Sequence, residues 1–348
     1  MTEPLLSFEG LTVTYRSQGG DVPAVRGVDL ELARGEKLGV AGESGSGKST
    51  LALALLRLLP PTATVTGRVL LDGEDLLAMN WGRLRAVRWA GASIVFQGAM
   101  HSLNPVHTIG DQIAEPILLH EKVGEAEASR RVAQLLDEVG MPPARAGAYP
   151  HELSGGQRQR VMIAMALACR PELIIADEPT TALDVMIQAQ ILGLIDDLVA
   201  RTGISLLMIS HDLSVLSDVC DRLAIMYAGR VVEVGPADAV HQRAKHPYSS
   251  ALAAAFPTVG DPASRLRPRG LAGDPPDPAS LPTGCTFHPR CPSRREVCDV
   301  VDPQLWPASE NHDAACVLVL PDEGASLARG DEHDNAEHGI QTEGSVMG

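Results

Sequence analysis

The stretch Gly42-Glu43-Ser44-Gly45-Ser46-Gly47-Lys48-Ser49-Thr50 decides the fold. It follows a short apolar run at residues 37–41 and opens a Leu-rich helical stretch at 48–59, so it reads as the turn of a strand, loop and helix unit. The glycines let backbone N–H groups turn inward around phosphate oxygens, and the helix start points its positive dipole end at the same anion. Lys48 adds a point charge for the β and γ phosphates, and the Ser49 hydroxyl is a ligand for Mg2+. The plainer reading is a tight Gly turn with a solvated lysine, and the flanking strand and helix argue against it.

Downstream, Leu173-Ile-Ile-Ala-Asp177-Glu178 is an apolar strand ending in two carboxylates. Side chains alternate along a strand, so neighbouring acids at its end can take separate tasks. Asp177 is expected to hold Mg2+ through water, and Glu178 to polarise the attacking water as a general base. Two acids at a strand end are a weak signal alone, and their place downstream of a phosphate loop strengthens it. His211 follows another apolar run, at the carboxyl end of a strand where ligands of open α/β folds bind, so it could contact the γ-phosphate. Gln97 follows the strand expected at 93–96 and could place an amide oxygen near Mg2+. Leu153-Ser154-Gly155-Gly156-Gln157 precedes a long helical run, 158–169. Its exposed backbone N–H groups make a second anion site, and N-capping by Ser154 is the plainer alternative.

Residues 5–15 and 28–32 read as strands of an antiparallel layer. Short buried strands are expected at 93–96, 173–176, 205–209 and 224–226, alternating with helices such as 185–199, which indicates a mostly parallel α/β sheet. Between Gln97 and Ser154 the pattern turns helical, as at 125–139. The chain has 348 residues, which suits one large domain of about 250 residues and a smaller appendage. Apolar residues make up 45% and aromatics 3%, so Ala, Leu, Ile and Val must fill the core. A net charge of -15 argues against nucleic-acid binding, which needs an excess of Lys and Arg on at least one face. No apolar run reaches the roughly 18 to 20 residues that cross a bilayer, and Met1-Thr-Glu-Pro4 lacks the features of a signal peptide. The expectation is a cytoplasmic protein that meets the membrane only through partners.

The loop 42–50, Gln97, the Leu-Ser-Gly-Gly-Gln segment, Asp177-Glu178, Ala182-Leu183-Asp184 and His211 together resemble the ABC ATPase family, in the family's order and over roughly residues 5–255. The resemblance implies an α/β P-loop NTPase cassette: a RecA-like core with an antiparallel β subdomain and a helical subdomain at about 98–160. It further implies that two cassettes pair head to tail, each signature segment closing over the ATP of the other. Ser154, Gly156 and Gln157 then act across the interface, and Asp184 bridges the two sites. Tyr15 lies where the family stacks an aromatic on adenine, although an isolated Tyr there could equally be core. The run Arg-Gln-Arg-Val-Met-Ile-Ala-Met-Ala-Leu-Ala after the signature, the stretch Asp-Glu-Pro-Thr-Thr-Ala-Leu-Asp at 177–184 and His246-Pro247-Tyr248 look like the D-type ATPases of dipeptide and oligopeptide importers. In such systems a second, F-type ATPase completes a heterodimer beneath two permeases fed by an external binding protein, and Leu103-Asn104-Pro105 lies where a permease docks. Nickel and glutathione importers share these features. A soluble ABC ATPase of DNA repair would carry long coiled coils, and no heptad run is present.

After Ala255 prolines crowd residues 257–282, a linker, and a small Cys-containing domain is expected over 256–320. From Asp322 onward seven carboxylates face one Arg, so 321–348 is expected to be a disordered acidic tail. Cys285, Cys291, Cys298 and Cys316 fall within 32 residues, and clustered cysteines in a reducing cytoplasm suggest a metal more than disulfides. Their spacing matches neither common zinc sites nor ferredoxins. Gly284-Cys285-Thr-Phe-His-Pro-Arg-Cys291-Pro292 resembles the segment of peptide-importer ATPases that holds a [4Fe-4S] cluster in some members. Zinc on the same thiolates or His312 is the alternative.

Overall fold

In strands β1 (Leu6–Ser17) and β2 (Gly20–Leu32) apolar residues alternate with polar ones, burying Leu6, Phe8, Leu11 and Val13 of the first and Val28, Leu30 and Leu32 of the second. They form an antiparallel sheet in the order β2-β1-β4-β5 with β4 (Ala63–Leu71) and β5 (Glu74–Asp75). The computed structural model describes residues 3–17, 20–98, 102–181, 183–255, 271 and 273–320. Residues 256–270 and 272, within or beside the linker expected at 257–282, the acidic tail at 321–348 and Ala182 lie outside them.

The second sheet has the order β11-β12-β10-β9-β3-β8-β7-β6. Its centre is parallel: β9 (Arg222–Tyr227), β3 (Lys37–Ala41), β8 (Ser205–Ser210), β7 (Leu173–Asp177) and β6 (Ala92–Val95). Every residue of β7 and β8 is buried, as expected for strands covered on both faces. Leu51 and Leu55 of the helix Lys48–Leu55 pack with Val13, Leu38, Ile175 and Leu207 between the two sheets, which fixes the helix that follows the phosphate loop. This helix stops four residues short of the expected end. Arg57 takes a left-handed φ of 51°, and Pro60 follows.

Between β6 and β7 lie the helices Ile109–His120 and Glu125–Glu138. Buried Arg131 pairs with Glu121 and donates to the Ala168 carbonyl, so it ties this insertion to the end of the helix Gly155–Leu167.

Two findings go beyond the sequence reading. Strand β10 (Arg230–Pro236) pairs antiparallel with β9 across the two-residue turn Ala228-Gly229. Part of the Cys-containing segment then continues the same sheet: β12 (His312–Ala314) pairs with β10, and β11 (Trp306–Ser309) with β12. Glu233 on β10 is fully buried and accepts from the Lys245 and His246 backbone N–H groups at 2.7 and 2.9 Å. The His312 Nε2 lies 2.6 Å from the same carboxylate. Among the described residues no helix is long and apolar enough to cross a membrane.

Replacing Glu233 by Ala strands three buried donors at the seam between core and C-terminal strands. The expected cost is about 3 kcal/mol, read as a lower urea midpoint with faster amide exchange over residues 306–314.

Candidate functional site

Parallel, in-register pairing brings four strand ends to one edge: Ala41 faces Ser210, Asp177 faces Ile209 and Val95 faces Ala176. The segments that leave these ends are the loop 42–49, His211, Glu178 and Phe96-Gln97.

The loop is a cradle that larger residues would fill. A Cβ on Gly42 would sit 2.2 Å from the Met226 carbonyl oxygen, and one on Gly47 would sit 2.3 Å from that of Ala24; φ is +155° and +103° respectively. Lys48 curls back over the loop, its Nζ donating to the Gly42 and Glu43 carbonyls at 2.7 and 2.9 Å. Burial pushes its ammonium below the usual lysine range, opposed by Glu178, Asp177 and Glu43. Ser44 and Gly45 form the exposed crest of the loop.

The Ser49 hydroxyl donates to Asp177 Oδ1 at 3.1 Å. Burial raises the Asp177 carboxyl above its ordinary range, and the Ser49 bond only partly offsets this. A buried acid beside a hydroxyl suits a hard cation such as Mg2+, which takes oxygen ligands.

Glu178 adopts a left-handed φ of 45°, a conformation that costs a non-Gly residue energy and recurs at functional sites. Its carboxylate gathers three partners: Gln97 Nε2 donates to Oε2 at 2.9 Å, Thr181 Oγ1 donates to the same oxygen at 2.7 Å, and His211 Nδ1 lies 3.4 Å from Oε1. The His211 side chain is 57% exposed, so the cluster faces solvent. Sequence reasoning singled out Gln97 and His211 but not Thr181. A hydroxyl three residues after an acid is the signal that pointed to it.

Tyr15 is half-buried, with its hydroxyl 3.2 Å from Thr50 Oγ1, so it stands at the first turn of the helix after the loop. Ser154 caps the helix Gly155–Leu167: its hydroxyl accepts from the Gln157 N–H at 3.3 Å, and the Gln157 side chain accepts from the Ser154 N–H at 3.1 Å. Both bonds stay within that turn, and Ser154 is exposed. A Cβ on Gly156 would meet Ile187 Cγ2 at 2.7 Å, so the segment packs on the helix Val185–Thr202. That helix is capped by Asp184, which accepts from the Ile187 N–H at 3.0 Å. The structure thus gathers the loop, Asp177, Glu178, Gln97 and His211 at one edge. The bonds of Ser154, Gln157 and Asp184 are local caps.

The four late cysteines line one cavity of about 10 Å³, together with His246, Phe287 and His288. Burial pushes the Cys285 thiol up to about 11, and raises Cys291 and Cys316 as well. The donors suit an iron–sulfur cluster in kind and number, but the space is about that of one water. Among the described residues no three His, Cys, Asp or Glu side chains are grouped to hold a metal ion. The expectation of a metal site therefore finds a shared thiol cavity and no ready cage. Cys169 and Cys220 are buried in the core, with thiols pushed up to about 11 and 12.

A family model described as "ABC transporter" matches residues 25–181, and one described as "Oligopeptide/dipeptide transporter, C-terminal region" matches 232–298. The dipeptide transport ATP-binding protein DppD of Bacillus subtilis is 43% identical over 336 residues, covering 95% of this chain and 100% of its own length. The oligopeptide transport ATP-binding protein OppD of Salmonella typhimurium is 44% identical over 301 residues, 86% of this chain and 89% of its own. Among solved structures, the ATP-binding cassette MJ0796, a dimer bound to ADP and Pi, superposes with a TM-score of 0.61 at 29% identity, covering 67% of this chain and 98% of that one. The chain belongs to the ATP-binding subunits of ABC transporters, a family of ATPases, and has their cassette fold.

Asp177 generates a prediction with a definite sign. A carboxyl whose folded pKa is raised loses stability as pH climbs from the ordinary carboxyl range through the raised value, so without a cation Asp177 is a cost at neutral pH. Asp177→Asn is expected to raise the thermal midpoint of the metal-free chain while weakening Mg2+-dependent ATP binding. Differential scanning fluorimetry with and without Mg-ATP checks both.

Proposed function

We infer that the chain hydrolyses ATP to power the import of dipeptides and oligopeptides through an ABC transporter. The gathering of Gln97, Thr181 and His211 around Glu178, beside the Ser49–Asp177 pair, carries the chemistry. In this reading Gly42, Ser44, Gly45, Gly47 and Lys48 hold the phosphates, Thr50 extends the cradle, and Tyr15 stacks on adenine. Ser49 and Asp177, with Gln97, hold the Mg2+. Glu178 polarises the attacking water, while Gln97 and His211 orient it. The peptide substrate rests on the match of the C-terminal region and on relatives named for dipeptide and oligopeptide transport, which favours peptides over nickel or glutathione.

Ser154, Gly156 and Gln157 are proposed to close on the nucleotide of a second cassette, with Asp184 bridging the two sites. The dimeric state of MJ0796 with ADP and Pi supports such pairing. The second cassette is taken to be a different, F-type subunit. Two permeases and an external binding protein complete the assembly, and the chain sits at the cytoplasmic face of the membrane.

The four cysteines of the C-terminal region are proposed as ligands of a [4Fe-4S] cluster, with zinc as the alternative. The convergence of all four thiols on one cavity supports this reading, and that cavity, now about the size of one water, would have to widen to take the cluster. Such a cluster would act as a structural cross-link, and its insertion must spread the thiols. Iron and sulfide analysis of anaerobically purified full chain checks it: four irons are expected, and zinc or no metal overturns the assignment.

Glu178→Gln is expected to bind Mg-ATP and to lose turnover by about 10² to 10⁴-fold in the assembled transporter, the usual worth of a positioned general base. Wild-type turnover in that variant excludes Glu178 from the role.

A further inference from the structure

Glu43, the second residue of the phosphate loop, is tied at each of its polar groups. Its carbonyl accepts from Lys48 at 2.9 Å. Its backbone N–H donates to the Tyr248 hydroxyl at 2.8 Å. Its carboxylate is gripped at both oxygens by the Arg290 guanidinium, Nη1 to Oε2 at 2.7 Å and Nη2 to Oε1 at 3.0 Å. Only the first anchor belongs to the loop. Tyr248 lies in the first turn of the helix Pro247–Ala255, and Arg290 lies between Cys285 and Cys291.

This grip is built to last. The Arg290 side chain is 7% exposed, its Nη1 also donates to the Tyr227 hydroxyl at 3.3 Å, and its guanidinium stands 5.9 Å from the Tyr227 ring centre. Behind it Tyr227, Tyr248 and Phe287 pack ring on ring at 4.5 to 5.4 Å. A forked guanidinium on a carboxylate, shielded from water, fixes both position and orientation.

We propose that Arg290 is a positioning residue for nucleotide binding: the C-terminal segment reaches back through it to hold the phosphate loop open and to neutralise Glu43 beside the incoming triphosphate. The inference rests on the reading of residues 42–49 as the nucleotide cradle. Two effects run in the same direction. Without Arg290 the loop loses its outer brace, and the bare Glu43 carboxylate faces an anionic ligand in a partly buried place, where like charges repel strongly. Cassette and C-terminal segment then form one binding unit.

The test measures the dissociation constant of Mg2+ with a non-hydrolysable ATP analogue by calorimetry on the full chain. Arg290→Ala is expected to weaken binding about tenfold, the worth of one charged hydrogen-bonded contact. Adding Glu43→Gln should bring affinity back to within about threefold of wild type, because the uncompensated charge is gone. A merely structural role predicts no such rescue. Wild-type affinity in Arg290→Ala, or a double variant weaker than Arg290→Ala, overturns the inference. Should Arg290→Ala fail to fold, Arg290→Gln carries the same comparison. Lys48→Ala separates the two levels. If it abolishes binding while Arg290→Ala leaves it intact, only this inference falls, whereas wild-type affinity in Lys48→Ala sinks the cradle itself.

Discussion

The in-register parallel pairing of β3, β8, β7 and β6 is the constraint from which the site follows. Each strand delivers one chemical element at the same edge: the phosphate loop after Ala41, His211 after Ser210, the two carboxylates at the end of β7, and Gln97 just past Val95. A slip of one residue between β3 and β8 or between β8 and β7 would turn Asp177 away from Ser49 and break the 3.1 Å contact between loop and strand. Burial of β7 and β8 on both faces makes such slips costly, so a hydrophobic core specifies a polar site that it does not contain.

That precision is stored as local instability. Asp177 is a carboxyl in a place that resists its charge, Lys48 is an ammonium turned back on its own loop, and Glu178 holds a backbone conformation that a non-Gly residue reaches only at a cost. On the proposed function, a triphosphate with Mg2+ would reverse the first two: the cation would compensate Asp177, and the phosphates would offer Lys48 a better partner than carbonyl oxygens. The site is therefore organised for a ligand of mixed charge. On that reading the stability of the empty chain is linked to its function, because groups that would be replaced for stability are those proposed to hold the nucleotide.

Much of this was legible in the sequence, for reasons that can be named. The strand at 37–41 and the start of the helix after Gly47 are read directly, because an apolar run, a Gly-rich turn and a Leu-rich stretch each carry a local signal. Signals that depend on distant partners were not legible. The helix end at Leu55 is set by the left-handed turn at Arg57, which its sequence neighbours do not demand. Strand β10 follows an Ala-Gly turn that lacks the usual Asn-Gly signature. The short strands β11 and β12 have no periodicity, and exist because β10 offers an unpaired edge and Glu233 a partner for His312. Thr181 escaped notice because a hydroxyl three residues after an acid is a common pattern in loops, and the geometry is what singles this one out on Glu178.

The same distinction explains why the late segment looked like an appendage. Its prolines and cysteines mark a change of composition, and composition reports what a segment is made of rather than what it touches. In three dimensions it meets the cassette at two places of opposite character. At the first, Glu233 and His312 bind it to the sheet edge, where both side chains are almost fully buried and the contact is structural. At the second, Arg290 crosses the aromatic cluster to Glu43, at the rim of the nucleotide loop. A tether at the sheet edge alone would leave the segment free to vary without consequence for the site. The second contact limits that freedom: Cys291 lines the cysteine cavity, and the residue before it in the chain is Arg290. The segment that carries the four thiols and the loop 42–49 are thereby joined through one guanidinium.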